Sequence, residues 1–198
     1  MPSPIAHSLI GLALGLGRFL PRYRRWDELS AQLRALWRPI LFCVLLANAP
    51  DLDYFFGIFR GNVNYYHQTV THTLVWVGVT ALTIWAYGRF RDRQASWLSV
   101  GLLLALLGSH LLTDWLTVDH SPPIGFMLAW PFSDHFYHAA FAFFPPPAKQ
   151  TLADLWSSQN LRLALVETVI TLPMIIIVLW FKRRRTSVLS NRSSTDSM

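Results

Sequence analysis

At 198 residues the chain has room for one domain, and 53% hydrophobic against 14% charged residues departs far from soluble-protein usage and calls for a membrane as solvent. The net charge of +6 does not indicate a nucleic-acid binder, because Lys and Arg flank apolar segments and form no continuous stripe with interleaved exposed aromatics. A single cysteine, Cys43, excludes a disulfide framework and a thiolate metal cluster, so a bound metal has to use imidazole and carboxylate.

The first apolar segment, residues 5–16, follows no basic n-region and is expected to stay in the mature protein. The second, 40–49, ends where Pro50 biases Ala49 away from helix, leaving Asp51 and Asp53 in an extended or turning stretch. Before the third, 73–87, His67 is expected to precede the helix, with Thr69 or Thr71 as its cap and His72 in its first turn. The fourth, 97–112, leads into the stretch GSHLLTDW, where His110 and Asp114 are four apart and share one helix face. The fifth, 163–181, is the one full-length span; the first two are short for a bilayer core that takes about 20 helical residues. Residues 186–198 are Ser-rich and read as a disordered cytoplasmic tail behind a single membrane domain, 1–185. Nine Trp, 13 Phe and six Tyr, with runs at Tyr54 to Phe59 and Phe136 to Pro147, suit interfacial anchoring.

Fourteen of the 17 basic residues fall between segments one and two, between three and four, or after five; Arg60, Lys149 and Arg162 lie in the alternate loops. Because cytoplasmic loops retain Lys and Arg, the expectation is an all-α bundle of about five transmembrane helices, N-terminus outside and C-terminus cytoplasmic, in a multi-pass inner-membrane protein.

Under that topology His7, Asp51, Asp53, His67, His72, His110 and Asp114 all face outward at four helix ends. Ionisable groups there are costly unless they have a task. Mixed imidazole and carboxylate ligands suit a divalent metal, Zn²⁺ first with Mn²⁺ or Fe²⁺ as alternatives, and seven candidates exceed what one catalytic ion takes, so one or two ions are expected. Such ions activate water and stabilise charge on a phosphoryl or carbonyl oxygen, with Asp53 or His67 orienting or deprotonating the water. His120, His135 and His138 sit in the long outer loop, where solvated histidine is the default; Asp134 could order that loop as a cap, and Glu167 in the last segment is left without a role.

An N-terminal HSLIG, a PDLD, an H-x4-TH, an SHLLTD and a WPFS turn occur in this order from His7 to Asp134. In this the chain resembles the YdjM-like membrane-bound metal-dependent hydrolases. The resemblance implies a metal-dependent hydrolase of the bacterial cytoplasmic membrane, with metal roles for His7, Asp51, Asp53, His67, His72, His110 and Asp114. The family pattern has Arg-Gly after the first histidine of the third motif, where this chain has Gln68-Thr69. The helix-end His and Asp pattern is also distantly similar to zinc-dependent phospholipase C, which implies phosphoester hydrolysis by analogy. A lipid or lipid-linked substrate would meet such a site at headgroup level. Two rivals stand beside this reading: a transporter, which needs polar groups through the depth of the bilayer, and a non-catalytic protein whose helix ends are stapled by metal.

Overall fold

In the computed structural model, which describes residues 3–59, 65–91, 99–118, 124–148 and 156–183, seven α-helices form among the described residues: α1 Pro4–Phe19, α2 Trp26–Ala35, α3 Trp37–Ala47, α4 Asp53–Phe59, α5 Leu74–Arg91, α6 Val100–Trp115 and α7 Ser158–Lys182. His120 and the tail 186–198 lie outside the described residues. The five apolar segments correspond to α1, α3, α5, α6 and α7. Two helices come in addition. The charged α2 follows Arg24, whose N–H donates to Glu28 at 2.9 Å, and it meets α3 at a 67° bend. Asp51 lies in a 3₁₀ turn, Ala49–Leu52, and Asp53 with the aromatic run forms the short helix α4 instead of an extended stretch.

Several helix starts are written in side-chain caps. Ser3 accepts from Ile5 N–H ahead of Pro4, Ser99 from Leu102 N–H, and Ser157 from Asn160 N–H, each satisfying a donor that the first turn leaves open. At α5 the cap is Thr73, whose Oγ1 accepts from Trp76 N–H at 3.0 Å. Thr69 and Thr71 do not cap it, and His72 lies in a 3₁₀ turn, Val70–His72, just ahead of the helix.

The apolar helices alternate in direction along the chain. Gly11 and Gly15 of α1 face Ala47 and Cys43 of α3, so the two run antiparallel. A Cβ on Gly11 would come within 2.8 Å of Ala47 Cβ and 2.9 Å of the Cys43 carbonyl; this is the close backbone approach that small residues allow between helices. His7 of α1 meets Thr113 of α6, again antiparallel, whereas Ser3 and Tyr23 meet Glu167 and Lys182, so α7 runs parallel to α1. Leu103, Leu106 and Leu107 of α6 pack with Cys43, Leu46 and Ala47 of α3 and Val77 and Ala81 of α5 in one apolar core.

By length and composition α7, at 25 residues, is the clear membrane span, and α2 with α3 qualifies only as one bent span. The 16-residue α1 and α6 are apolar but short, about 24 Å each at ~1.5 Å per residue. Helix length thus carries one or two of the five expected crossings, with the remainder resting on the charge pattern.

Candidate metal centre

The alternating directions bring the N-terminal turn of α1, the chain beyond α3, the turn before α5 and the last turns of α6 to the same end of the bundle. All seven expected site residues meet there. His7, Asp53, His67, His72, His110 and Asp114 are buried, and Asp51 keeps a side-chain exposure of 12%. His110 and Asp114 share the inner face of α6 as their spacing requires. Asp51 enters from the 3₁₀ turn Ala49–Leu52 and Asp53 from the first position of α4.

Hydrogen bonding fixes what each imidazole offers. His110 Nδ1 lies 2.8 Å from the Ala47 carbonyl; a carbonyl only accepts, so the proton is on Nδ1 and Nε2 carries a lone pair. The Thr71 hydroxyl donates to Asp53 Oδ2 at 2.6 Å, so its oxygen accepts from His72 Nδ1–H at 3.0 Å and bares His72 Nε2. Thr113 donates its hydroxyl to the Ser109 carbonyl and offers its oxygen to His7 Nδ1 at 3.4 Å, turning His7 Nε2 inward. Three lone pairs therefore converge with the carboxylates of Asp51 and Asp114. Fixing the tautomer through the far ring nitrogen is how metal-binding histidines are held.

The convergence is close. His72 Nε2 and His110 Nε2 lie 3.3 Å apart; Asp114 Oδ2 is 3.2 Å from the first and 3.4 Å from the second, and Asp51 Oδ1 is 3.7 and 3.4 Å from them. For bonds of ~2.0–2.1 Å, the edges of a tetrahedral ligand set measure about 3.3 Å. Five of the six separations among these four atoms therefore fall near the edge length of a tetrahedral shell, and Asp51, His72 and His110 together are close enough to hold one ion. Asp51 Oδ1, both oxygens of Asp114 and His7 Nε2 are buried without a hydrogen-bond partner. A buried pocket of acceptors facing one another is costly unless a cation joins them, so the residues fit a divalent metal.

Asp53 and His67 lie beside His72, the three close enough together to form a further group that could hold an ion. His67 Nδ1–H donates to Asp53 Oδ1 at 2.8 Å, and the His67 ring stacks on Tyr54 with centroids 3.9 Å apart. Burial opposes ionisation of Asp53, but its bonds with His67 and His72 prevail and hold the carboxyl at about 2. Burial dominates at His67 and lowers its pKa, favouring the neutral ring. His72, buried as well, is nonetheless driven well above its ordinary value by Asp114, Asp51 and Asp53. The surrounding carboxylates thus draw positive charge into the pocket.

Two features escape sequence reasoning. The segment holding His67 and His72 is pinned by the outer loop, where Met127 N–H donates to Gln68 O and Leu74 N–H to Leu128 O, and the buried Phe126 ring lies 6.4 Å from His72. Gln68, where the family pattern has Arg, adopts φ 64 and is buried. Asp134, His135 and His138 are exposed and stand apart from the cluster; the cover comes from residues 126–128. Glu167 acquires a definite place: one carboxylate oxygen accepts from Ser3 N–H at 2.6 Å and the other from the Ser3 hydroxyl. This contact fixes the N-terminus of α1, one turn ahead of His7. A lone carboxylate in an apolar span was the available signal, but its partner was not readable.

The sequence model of a family described as YdjM inner membrane protein matches residues 1–186. Neither a curated protein nor a solved structure matches the chain, so the distant likeness to zinc-dependent phospholipase C gains no support from comparison.

Proposed function

From the premise that this chain belongs to the YdjM inner membrane protein family, we propose that it is a multi-pass, metal-dependent hydrolase acting on a phosphoester of a membrane-associated substrate. The observation that carries this reading is the buried convergence of His72 Nε2, His110 Nε2, Asp51 Oδ1 and Asp114 Oδ2, with separations of 3.2 to 3.7 Å. His72, His110, Asp51 and Asp114 would hold a divalent ion, Zn²⁺ by preference. Bound there, the metal would supply electrostatic stabilisation of charge on a phosphoryl oxygen, and acidified water where it takes a fifth ligand beside these four.

The chain's own groups do the rest. Asp53 orients His72 through Thr71 and aligns His67 directly. His67, neutral and braced by Tyr54, is assigned as the proton acceptor. Asp51, the most exposed of the metal-facing side chains, marks the side from which water and substrate arrive.

Depth supports a substrate in the bilayer. Glu167 lies four residues inside the apolar run that begins at Leu163, roughly 6 Å along α7, and Ser3 is bonded to it. His7 lies one turn further along the parallel α1. With five crossings and the N-terminus outside, the site sits within the outer leaflet, where lipids carry their ester and phosphate groups. A filled set of four protein ligands is also the mark of a structural site, and this favours a metal staple as the second reading.

The test is elemental analysis of detergent-purified chain beside a His110→Ala, Asp114→Ala double variant, followed by a phosphoester screen. Metal in the parent only, with phosphate release from lipid phosphoesters that a chelator stops, is the expected result. Metal without turnover on any phosphoester favours the staple. Folded parent protein that neither retains nor takes up metal overturns both.

A further inference from the structure

We propose that the cluster holds not one cation but a pair, bridged by Asp51 and Asp114, with the second ion on His7; this rests on the metal-dependent reading above. The evidence is how the two carboxylates divide their oxygens. Asp114 Oδ2 and Asp51 Oδ1 point to His72 and His110 at 3.2 to 3.7 Å. The opposite oxygens, Asp114 Oδ1 and Asp51 Oδ2, are those nearest His7 Nε2, at 3.3 and 4.0 Å. Each carboxylate thus faces one imidazole set with one oxygen and the other set with its second oxygen.

One ion among His72, His110, Asp51 Oδ1 and Asp114 Oδ2 leaves part of the pocket unexplained. His7 Nε2 and Asp114 Oδ1 would remain buried without a hydrogen-bond partner, although the sequence places a histidine there and Glu167 fastens its helix. The His7 ring is stacked on His110, centroids 3.7 Å apart and planes 14° from parallel. The nearest carboxylate oxygens of the two rings differ: Asp114 Oδ1 for His7 Nε2, and Asp114 Oδ2 with Asp51 Oδ1 for His110 Nε2. Separations of 3.3 and 4.0 Å from Nε2 are within the span of ligands around a single ion with bonds of about 2.0–2.2 Å. Carboxylate-bridged ions of this kind lie ~3.5–4 Å apart and act together on one phosphoryl group.

The pair also divides the work. The His72–His110 ion is closed by four protein ligands, whereas the His7 ion has three and keeps positions open. Two divalent ions on two bridging carboxylates leave an excess of positive charge at that open position. The ligand class it favours is therefore an anion, a terminal phosphate on a lipid in preference to a neutral ester.

Mn²⁺ titration of the full chain in detergent, followed by electron paramagnetic resonance, tests this. The parent is expected to take up about two equivalents with an exchange-coupled signal. His7→Ala should keep about one, uncoupled, and that retained ion shows that the variant is folded; His7→Glu, which returns an oxygen ligand, should regain the second. A parent that binds a single uncoupled ion, with His7→Ala binding the same, overturns the pair and leaves the single-ion reading standing. A parent that binds no Mn²⁺ or Zn²⁺ overturns both.

Discussion

Replacing Asp53 by Asn separates a positioning carboxylate from a metal ligand. In the structure Oδ1 of Asp53 accepts from His67 at 2.8 Å, and Oδ2 accepts from Thr71, whose oxygen lies 3.0 Å from His72 Nδ1, while Oδ2 itself lies 3.4 Å from that nitrogen. Asn keeps one acceptor and puts an NH₂ donor in the other position, facing either the His67 N–H or the Thr71 hydroxyl. One link must break: either His67 loses its acceptor, or the Thr71 hydroxyl loses the partner that lets its oxygen orient His72. Loss of such an outer partner costs ~10–100-fold in metal affinity, or about 1.4–2.7 kcal/mol. Thr71→Val cuts only the link to His72 and should cost about one net hydrogen bond, ~0.5–1.5 kcal/mol. Zn²⁺ competition against a chromophoric chelator measures both beside His110→Ala, which removes a direct ligand. If Asp53→Asn abolished binding as completely as His110→Ala, Asp53 would be a ligand and the relay through Thr71 would be wrong; an unchanged affinity would refute the relay as well.

Gly11→Val forces atoms into a contact where even a Cβ would lie 2.8 Å from Ala47; overpacking of this kind costs ~1–3 kcal/mol and should lower the thermal midpoint in detergent. Gly17→Val on the same helix, with open space around its Cβ, should leave the midpoint unchanged or raised, and equal effects at the two positions would refute the packing argument. Glu167→Ala removes both acceptors of Ser3 and should destabilise by about 1.5–3 kcal/mol, with α1 exchanging amide hydrogen faster at its N-terminal turn; unaltered exchange there would count against the clamp. Metal affinity should already fall as pH drops from above ~6.5, because the neighbouring carboxylates raise the proton affinity of His72 and protons compete for the imidazole nitrogens. Asp53, depressed to about 2, stays ionised through that window, so a midpoint near 4 in a chelator-buffered titration would mean that carboxylates and not histidines control release.

Much of the site was legible because its determinants are local. The spacing of His110 and Asp114 places both on one face of any helix, and the charge asymmetry brought four helix ends to one side before any packing was known. Misread local structure had local causes. The second segment ends ahead of Pro50 and Asp51 lies in a turn, as expected, but Asp53 opens the further helix α4, since proline suits the first positions of a helical segment as well as it ends one. Thr69, Thr71 and Thr73 are equally good caps by composition, and only the tertiary bonds of Thr71 to Asp53 leave Thr73 to cap α5. The division between direct and outer residues could not be read, because the sequence does not say that the carbonyl of Ala47 will take the Nδ1 proton of His110.

The ligand geometry is held largely by residues that are not ligands. Gly11 and Gly15 let α1 approach α3 closely, which carries His7 toward the turn bearing Asp51, while the Asn48 amide ties Ser8 of α1 to the Val44 carbonyl of α3. Ala47, Thr71 and Thr113 each take one imidazole proton, and Glu167 reaches from the long α7 to fix the start of the short α1. A membrane accounts for this division of labour. Short helices can end below the surface only if their terminal polar groups find partners inside the protein, and here those partners are the groups that aim the metal-facing side chains. The short lengths of α1 and α6, which make them poor membrane spans on their own, are therefore what places an acceptor-rich pocket inside the bundle.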